Sequence, residues 1–131
     1  MGKKIKQNGA VFLVVVFAIA LIATITMGIL VMTTEELQLM QNQLYFAQAI
    51  CIAEAGLNDA FARIRTNPVA VSFTESFNGG TYSVNVTGTP PTQITSFATS
   101  SQGYTSRVSA DVTIGTSYPY IIRIDRLRIN E

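Results

Sequence analysis

The chain has 131 residues, a formal net charge of +1, one cysteine, and neither histidine nor tryptophan. Without histidine it lacks the commonest general base and metal ligand, and a single cysteine cannot close an intramolecular disulfide, so no enzyme, cofactor or metal is expected. The balanced charge gives no global pull toward nucleic acid, which is not indicated as a partner.

The charges are unevenly placed. Lys3, Lys4 and Lys6 crowd the N-terminus, and the next charged residues are Glu35 and Glu36. The uncharged stretch between them exceeds the about 20 residues that cross a bilayer core. What lies outside it, about 97 residues, is modest material for a hydrophobic core.

Ala10 to Met32 reads AVFLVVVFAIALIATITMGILVM, with Thr24 and Thr26 its only polar side chains. A segment apolar on every face that satisfies its own backbone as a helix suits lipid. The three preceding lysines hold the N-terminus in the cytoplasm and place Glu35 onward outside, which makes this a single-pass protein of the cytoplasmic (inner) membrane. A cleaved secretory signal is a rival reading, through the A-x-A pattern at Ala18 to Ala20. The apolar run continues beyond that pattern, which argues against conventional cleavage. Ala20, Thr24 and Gly28 recur every fourth residue, a stripe of small side chains where another helix can approach closely. Gly28, after the β-branched Ile25 and Thr26, is also the expected place for any local unwinding.

The helix is expected to continue past the membrane. From Leu37 to Ile64 there is no proline and one glycine, Gly56. Phe46, Ile50, Ala53, Leu57, Phe61 and Ile64 recur at spacings of three and four, one face of an α-helix, and are expected to form its core with a sheet. Leu37, Met40, Leu44, Ala47 and Cys51 lie on a second face; Leu37, Met40 and Leu44 are expected to extend the helix packing begun at Ala20. Burial on a helix face is expected to keep the Cys51 thiol inert. Asp59 and Arg63 stand four apart, and Arg63 and Arg65 suit the negative end of the helix dipole. Thr66-Asn67-Pro68 ends the helix, because the residue before proline is pushed out of the α region. Thr33 and Glu36 fit a capping box, so a hinge there competes with a single unbroken rod; the rod is preferred.

After Pro68 the period changes to two. Val71 to Phe77 and Thr81 to Thr87 flank Asn78-Gly79-Gly80, the signature of a β-hairpin. Gln93 to Ser100 and a strand through Val108, Ala110, Val112 and Ile114 follow. In the last segment, Tyr120 to Asn130, Ile122 and Ile124 hold one phase and Leu127 and Ile129 the other, so a bulge or bend is expected near Asp125. Arg123, Arg126 and Arg128 either contact DNA or a partner, or guard a sheet edge against aggregation; interleaved Asp125 and Glu131 favour the second. Glu54 is either a subunit contact or a solvated carboxylate. The fold class is therefore α+β: a long N-terminal helix, its second half packed on a small antiparallel sheet of four to five strands, a ladle in outline. The expected organisation is a basic leader at 1–9, a transmembrane half-helix at 10–32, an extracytoplasmic amphipathic half at 33–66 and a β-rich domain at 67–131.

A short basic leader, Gly9-Ala10, an unbroken apolar run, a long helix and a small β domain together resemble the type IV pilin-like superfamily. Asn8-Gly9-Ala10-Val11 and Ala53-Glu54-Ala55-Gly56-Leu57 are most similar to the N-terminal region of PilX-type minor pilins, related to the GspK pseudopilins of type II secretion. The resemblance covers a little under half the chain. It implies cleavage by a prepilin peptidase between Gly9 and Ala10, and partners that are other pilin-like subunits. Most such pilins carry a glutamate at the fifth mature position, here Val14. A carboxylate at membrane depth is expensive, about 2.5–3.5 kcal/mol or more, and the family is thought to offset it with a neighbour's N-terminal amine. GspK-type tip subunits also lack it, so Val14 implies a minor, initiating or tip-proximal role. The rivals are a major pilin, against which Val14 argues, and an uncleaved membrane-anchored binding module, which keeps its lysines.

Overall fold

The computed structural model describes residues 3–69 and 71–130, with side chains from residue 9 onward. Met1 and Gly2 of the expected leader, and the side chains of Lys3, Lys4 and Lys6 that carry the orientation argument, lie outside the described residues. The secondary structure is one helix and five strands: α1 Lys3–Thr66, β1 Phe73–Phe77, β2 Gly80–Thr87, β3 Gln93–Thr99, β4 Thr105–Ile114 and β5 Ile122–Ile129. The chain divides into two compact units, Met1–Gln41 and Asn42–Glu131.

The first unit is helix alone. Every described side chain in it is exposed, and α1 passes through both Gly28 and Thr33 without a break. The hinge alternative at Thr33 is thereby corrected. The Thr33 hydroxyl donates to the Ile29 carbonyl at 2.9 Å and that of Thr34 to Leu30 at 2.8 Å, so neither caps a helix start. Thr24 donates to the Ala20 and Leu21 carbonyls at 3.0 and 2.8 Å, and Thr26 to that of Ile22. A hydroxyl that bonds back into its own helix leaves no unpaired donor facing outward.

The second unit joins the C-terminal part of α1 to an antiparallel meander in the order β1-β2-β3-β4-β5. The β1–β2 connection is Asn78-Gly79, between paired Phe77 and Gly80. Both turn residues have positive φ, 50° and 78°, the mirror-image turn whose twist matches that of the strands. α1 ends at Thr66, directly before Asn67-Pro68, as the proline requires.

One face of the sheet packs on the helix. Its buried residues are Tyr82, Val84, Ile94, Ser96, Ala98, Val108, Ala110 and Val112, and the helix contributes Ala49, Ile52, Ala53, Gly56, Leu57, Ala60 and Ile64. This seam corrects the expected one. Ala53, Leu57 and Ile64 are in it, Phe61 and Ile50 are half-buried, and Phe46 is exposed. The seam follows small residues, Ala49, Ala53, Gly56 and Ala60, because they let the helix come close to the sheet. A methyl group on Gly56 would collide with Ser96 Oγ and stand 2.7 Å from Tyr82 Cδ2. The large Phe46 cannot share so narrow a gap. Cys51 is exposed as well, so the expected burial of its thiol is also corrected.

The bulge falls at Asp125. Asp111 pairs with Arg126 and Val112 with Ile124, which leaves Asp125 as the extra residue. It reconciles the two phases of β5: Ile122, Ile124, Leu127 and Ile129 all oppose helix-facing residues of β4, and Arg123, Arg126 and Arg128 all lie on the other side.

Candidate functional site

The unusual surface is α1 itself. From Val11 to Met32 its large apolar side chains are about half to two-thirds exposed, Phe12 and Leu13 at 70%. Burying one such side chain is worth about 1.5–3 kcal/mol, and a continuous exposed patch of this kind marks an interaction surface. The chain has one helix long and apolar enough to cross a membrane.

Within that surface, Ala20, Thr24 and Gly28 are all exposed, and a methyl group on Gly28 would meet nothing within 4 Å. The Thr24 proton is committed to its own helix, so the stripe presents small and outwardly apolar groups. Leu37 and Met40, later in the same unit, are also exposed. In the second unit Leu44 is two-thirds exposed and takes no part in the core. Gly9 and Ala10 are helical and exposed. No residue of the helix-packing set is spent on packing within its own unit.

The polar chemistry of the second unit clusters where α1 meets β1 and β2. Arg63 donates to Asp59 at 3.1 Å and to Glu75, and its guanidinium lies 3.7 Å from the centre of the Phe73 ring. The Tyr82 hydroxyl donates to the same Asp59 carboxylate at 3.1 Å. Hydrogen bonds to Asp59 and then Glu75 raise the Arg63 pKa. Burial, then the bond to Asp59, raises that of Tyr82. Each charge is held by another, which makes a clamp between helix and sheet. Asp59 and Arg63 were visible from their spacing; Glu75 and Tyr82 arrive from distant strands and gave no local signal.

Two further clusters complete the unit. Tyr104 donates to Asn42 at 2.5 Å and its ring lies 5.6 Å from that of Tyr45, fixing the β3–β4 turn to the start of the helical part. On the other side of the sheet, Asp125 accepts from Thr113 at 2.5 Å and from Arg123 at 2.7 Å, which hold its carboxyl below the usual range. Glu54 is exposed beside Leu57, Asn58 and Phe61, where α1 borders β5. No group of three or more His, Cys, Asp or Glu positioned to hold a metal occurs among the described residues.

Compared with known families, curated proteins and solved structures, the chain matches none.

Proposed function

We propose that this chain is a minor pilin or pseudopilin: a structural or initiating component of a type IV pilus or type II secretion-like filament. It is made as an inner-membrane precursor with its N-terminus in the cytoplasm and its β domain outside, and a prepilin peptidase cleaves it between Gly9 and Ala10. The observation that carries the reading is α1. One helix joins a stretch with every side chain exposed and apolar to a stretch that completes the core of an antiparallel meander.

The proposed mechanism is mechanical. An apolar helix leaves lipid and packs among the helices of other pilin-like subunits, so its side chains never meet water. Lipid is as apolar as leucine, so hydrophobicity alone does not drive that transfer; close packing does. The exposed small residues Ala20, Thr24 and Gly28 supply the close approach, and Leu37, Met40 and Leu44 extend the contact beyond the bilayer. Val14 in place of a carboxylate removes the charge pairing that registers an ordinary subunit, which suits an initiating or tip-proximal position.

Intact mass and N-terminal sequencing of the protein from native membranes test the reading. A mature chain that starts at Ala10 is expected. Retention of Met1 to Gly9 would contradict it and leave a tethered β module.

A further inference from the structure

β5 is the last strand of the meander, so the side of it away from β4 has no strand partner among the described residues. Its helix-facing row is poorly covered. Ile124, Leu127 and Ile129 are 50, 53 and 45% exposed, whereas their β4 partners Val112, Ala110 and Val108 are buried. Alongside runs a groove between α1 and β5, lined by Leu57, Asn58, Phe61, Ile124 and Leu127, with Glu54 also on its helix side.

We propose that this edge and groove accept an extended partner segment of alternating apolar and acidic residues, added to the sheet as a further strand. A strand places successive side chains on opposite faces, so one row of the partner enters the groove and the other meets the arginine side. That side is cationic: Arg107, Arg123, Arg126 and Arg128 share it with Asp111 and Asp125, four cations against two anions. Arg123 pairs with Asp125 and Arg128 with Asp111, which still leaves the surface with an excess of positive charge.

The same arginines argue against a second copy of this chain. Pairing β5 with β5 sets two arginine rows against each other, and like charges opposite one another across strands are destabilising. The other free edge, β1, offers Thr74 and Ser76 on the corresponding face; its one acid, Glu75, lies on the helix side and is held by Arg63. Neither edge supplies an acidic row. The arginines thus serve two ends, repelling self-association and selecting the partner's charge. This inference does not rest on the filament reading.

The test uses the full chain in detergent micelles and a fluorescent synthetic peptide of alternating Glu and Val. Its affinity is measured by anisotropy, and hydrogen exchange of the β5 amides is followed in parallel. The Glu–Val peptide is expected to bind and protect β5, at least about tenfold tighter than a Lys–Val peptide. A Glu–Ser peptide and a backbone N-methylated Glu–Val peptide are expected to lose most of that binding. Arg126→Glu should shift the preference toward Lys–Val, and Leu127→Asp should weaken Glu–Val. If Leu127→Asp fails to fold, the Arg126→Glu arm decides alone. The proposal is overturned if Glu–Val does not bind, if Glu–Ser binds equally well, or if a single-stranded oligonucleotide displaces the peptide while the apolar residues make no difference.

Discussion

Residues 9–41 and residues 42–66 are both helix, yet they meet opposite fates. In the first stretch every side chain is exposed and the polar ones bond back into the helix. In the second, one narrow seam of small residues is buried against a sheet and the opposite side carries charge. Helix formation therefore does not depend on which partner covers it. What differs is the solvent each stretch is built for: an apolar one around its whole circumference, or water on one side and a protein core on the other.

Substitutions divide the two stretches, and the largest effect is expected in the first. Ala20→Asp or Gly28→Asp places a charge at membrane depth, at an insertion cost of about 2.5–3.5 kcal/mol. On the proposed function it should abolish assembly even in molecules that still insert, read as loss of the protein from sheared filaments or from complexes with other subunits. Unfolding of the second unit, followed by denaturant titration in micelles, should not change. The converse holds for Ile64→Ala or Ile94→Ala, both completely buried. Each should cost the second unit about 2–5 kcal/mol, while Leu21→Ala, half-exposed in the first unit, should leave that unfolding curve where it is.

Smaller effects test how closely helix and sheet approach. Gly56→Ala gains about 1 kcal/mol of helix preference but overpacks the seam at a cost of about 1–3 kcal/mol, so a net loss of stability is expected. Ser96 Oγ is buried with no hydrogen-bond partner among the described residues. Ser96→Ala alone should thus be neutral or stabilising by about 1 kcal/mol, and in the double variant it should recover part of the Gly56→Ala loss. Equal losses in the single and double variants would place the conflict at Tyr82 instead.

The smallest expected effect concerns the clamp. Folding favours the neutral Tyr82 phenol, since burial and the bond to Asp59 raise its pKa. That contribution is complete below the unfolded value and disappears as pH rises through the higher folded one, so the second unit should lose stability above about pH 10. Tyr82→Phe should remove that alkaline slope and cost about 0.5–1.5 kcal/mol at neutral pH. An unchanged slope would assign the alkaline loss to other groups.

The sheet was legible because its signals are local. Asn78-Gly79 dictates a mirror-image turn whatever surrounds it, and the phase change around Asp125 can only be accommodated by an extra residue. Five strands, their order of pairing along a meander, and the helix end at Thr66 follow from such signals. The rotation of α1 against the sheet was not legible. Counting large residues put Phe46 and Ile50 in the seam, but how near a helix can come to a sheet is set by its smallest side chains, and Gly56 and Ala60 carry no hydrophobic signal of their own. Cys51 was misplaced for the same reason. Thr33 was ambiguous because its hydroxyl can cap a helix or bond back into one, and only the course of the chain decides. In the candidate site, the exposed stripe from Ala20 to Gly28 could be read directly, whereas the Arg63–Glu75 and Tyr82–Asp59 contacts join residues far apart in sequence.

The central claim is that the apolar part of α1 is built to exchange lipid for other helices. A photo-crosslinking residue placed at Gly28 in the full chain, activated in native membranes, tests it most directly. The account predicts covalent adducts with other subunits that carry an apolar N-terminal helix, lost when Ala20 is replaced by aspartate. Adducts with lipid alone, under conditions where the protein is abundant and its second unit folded, would contradict it.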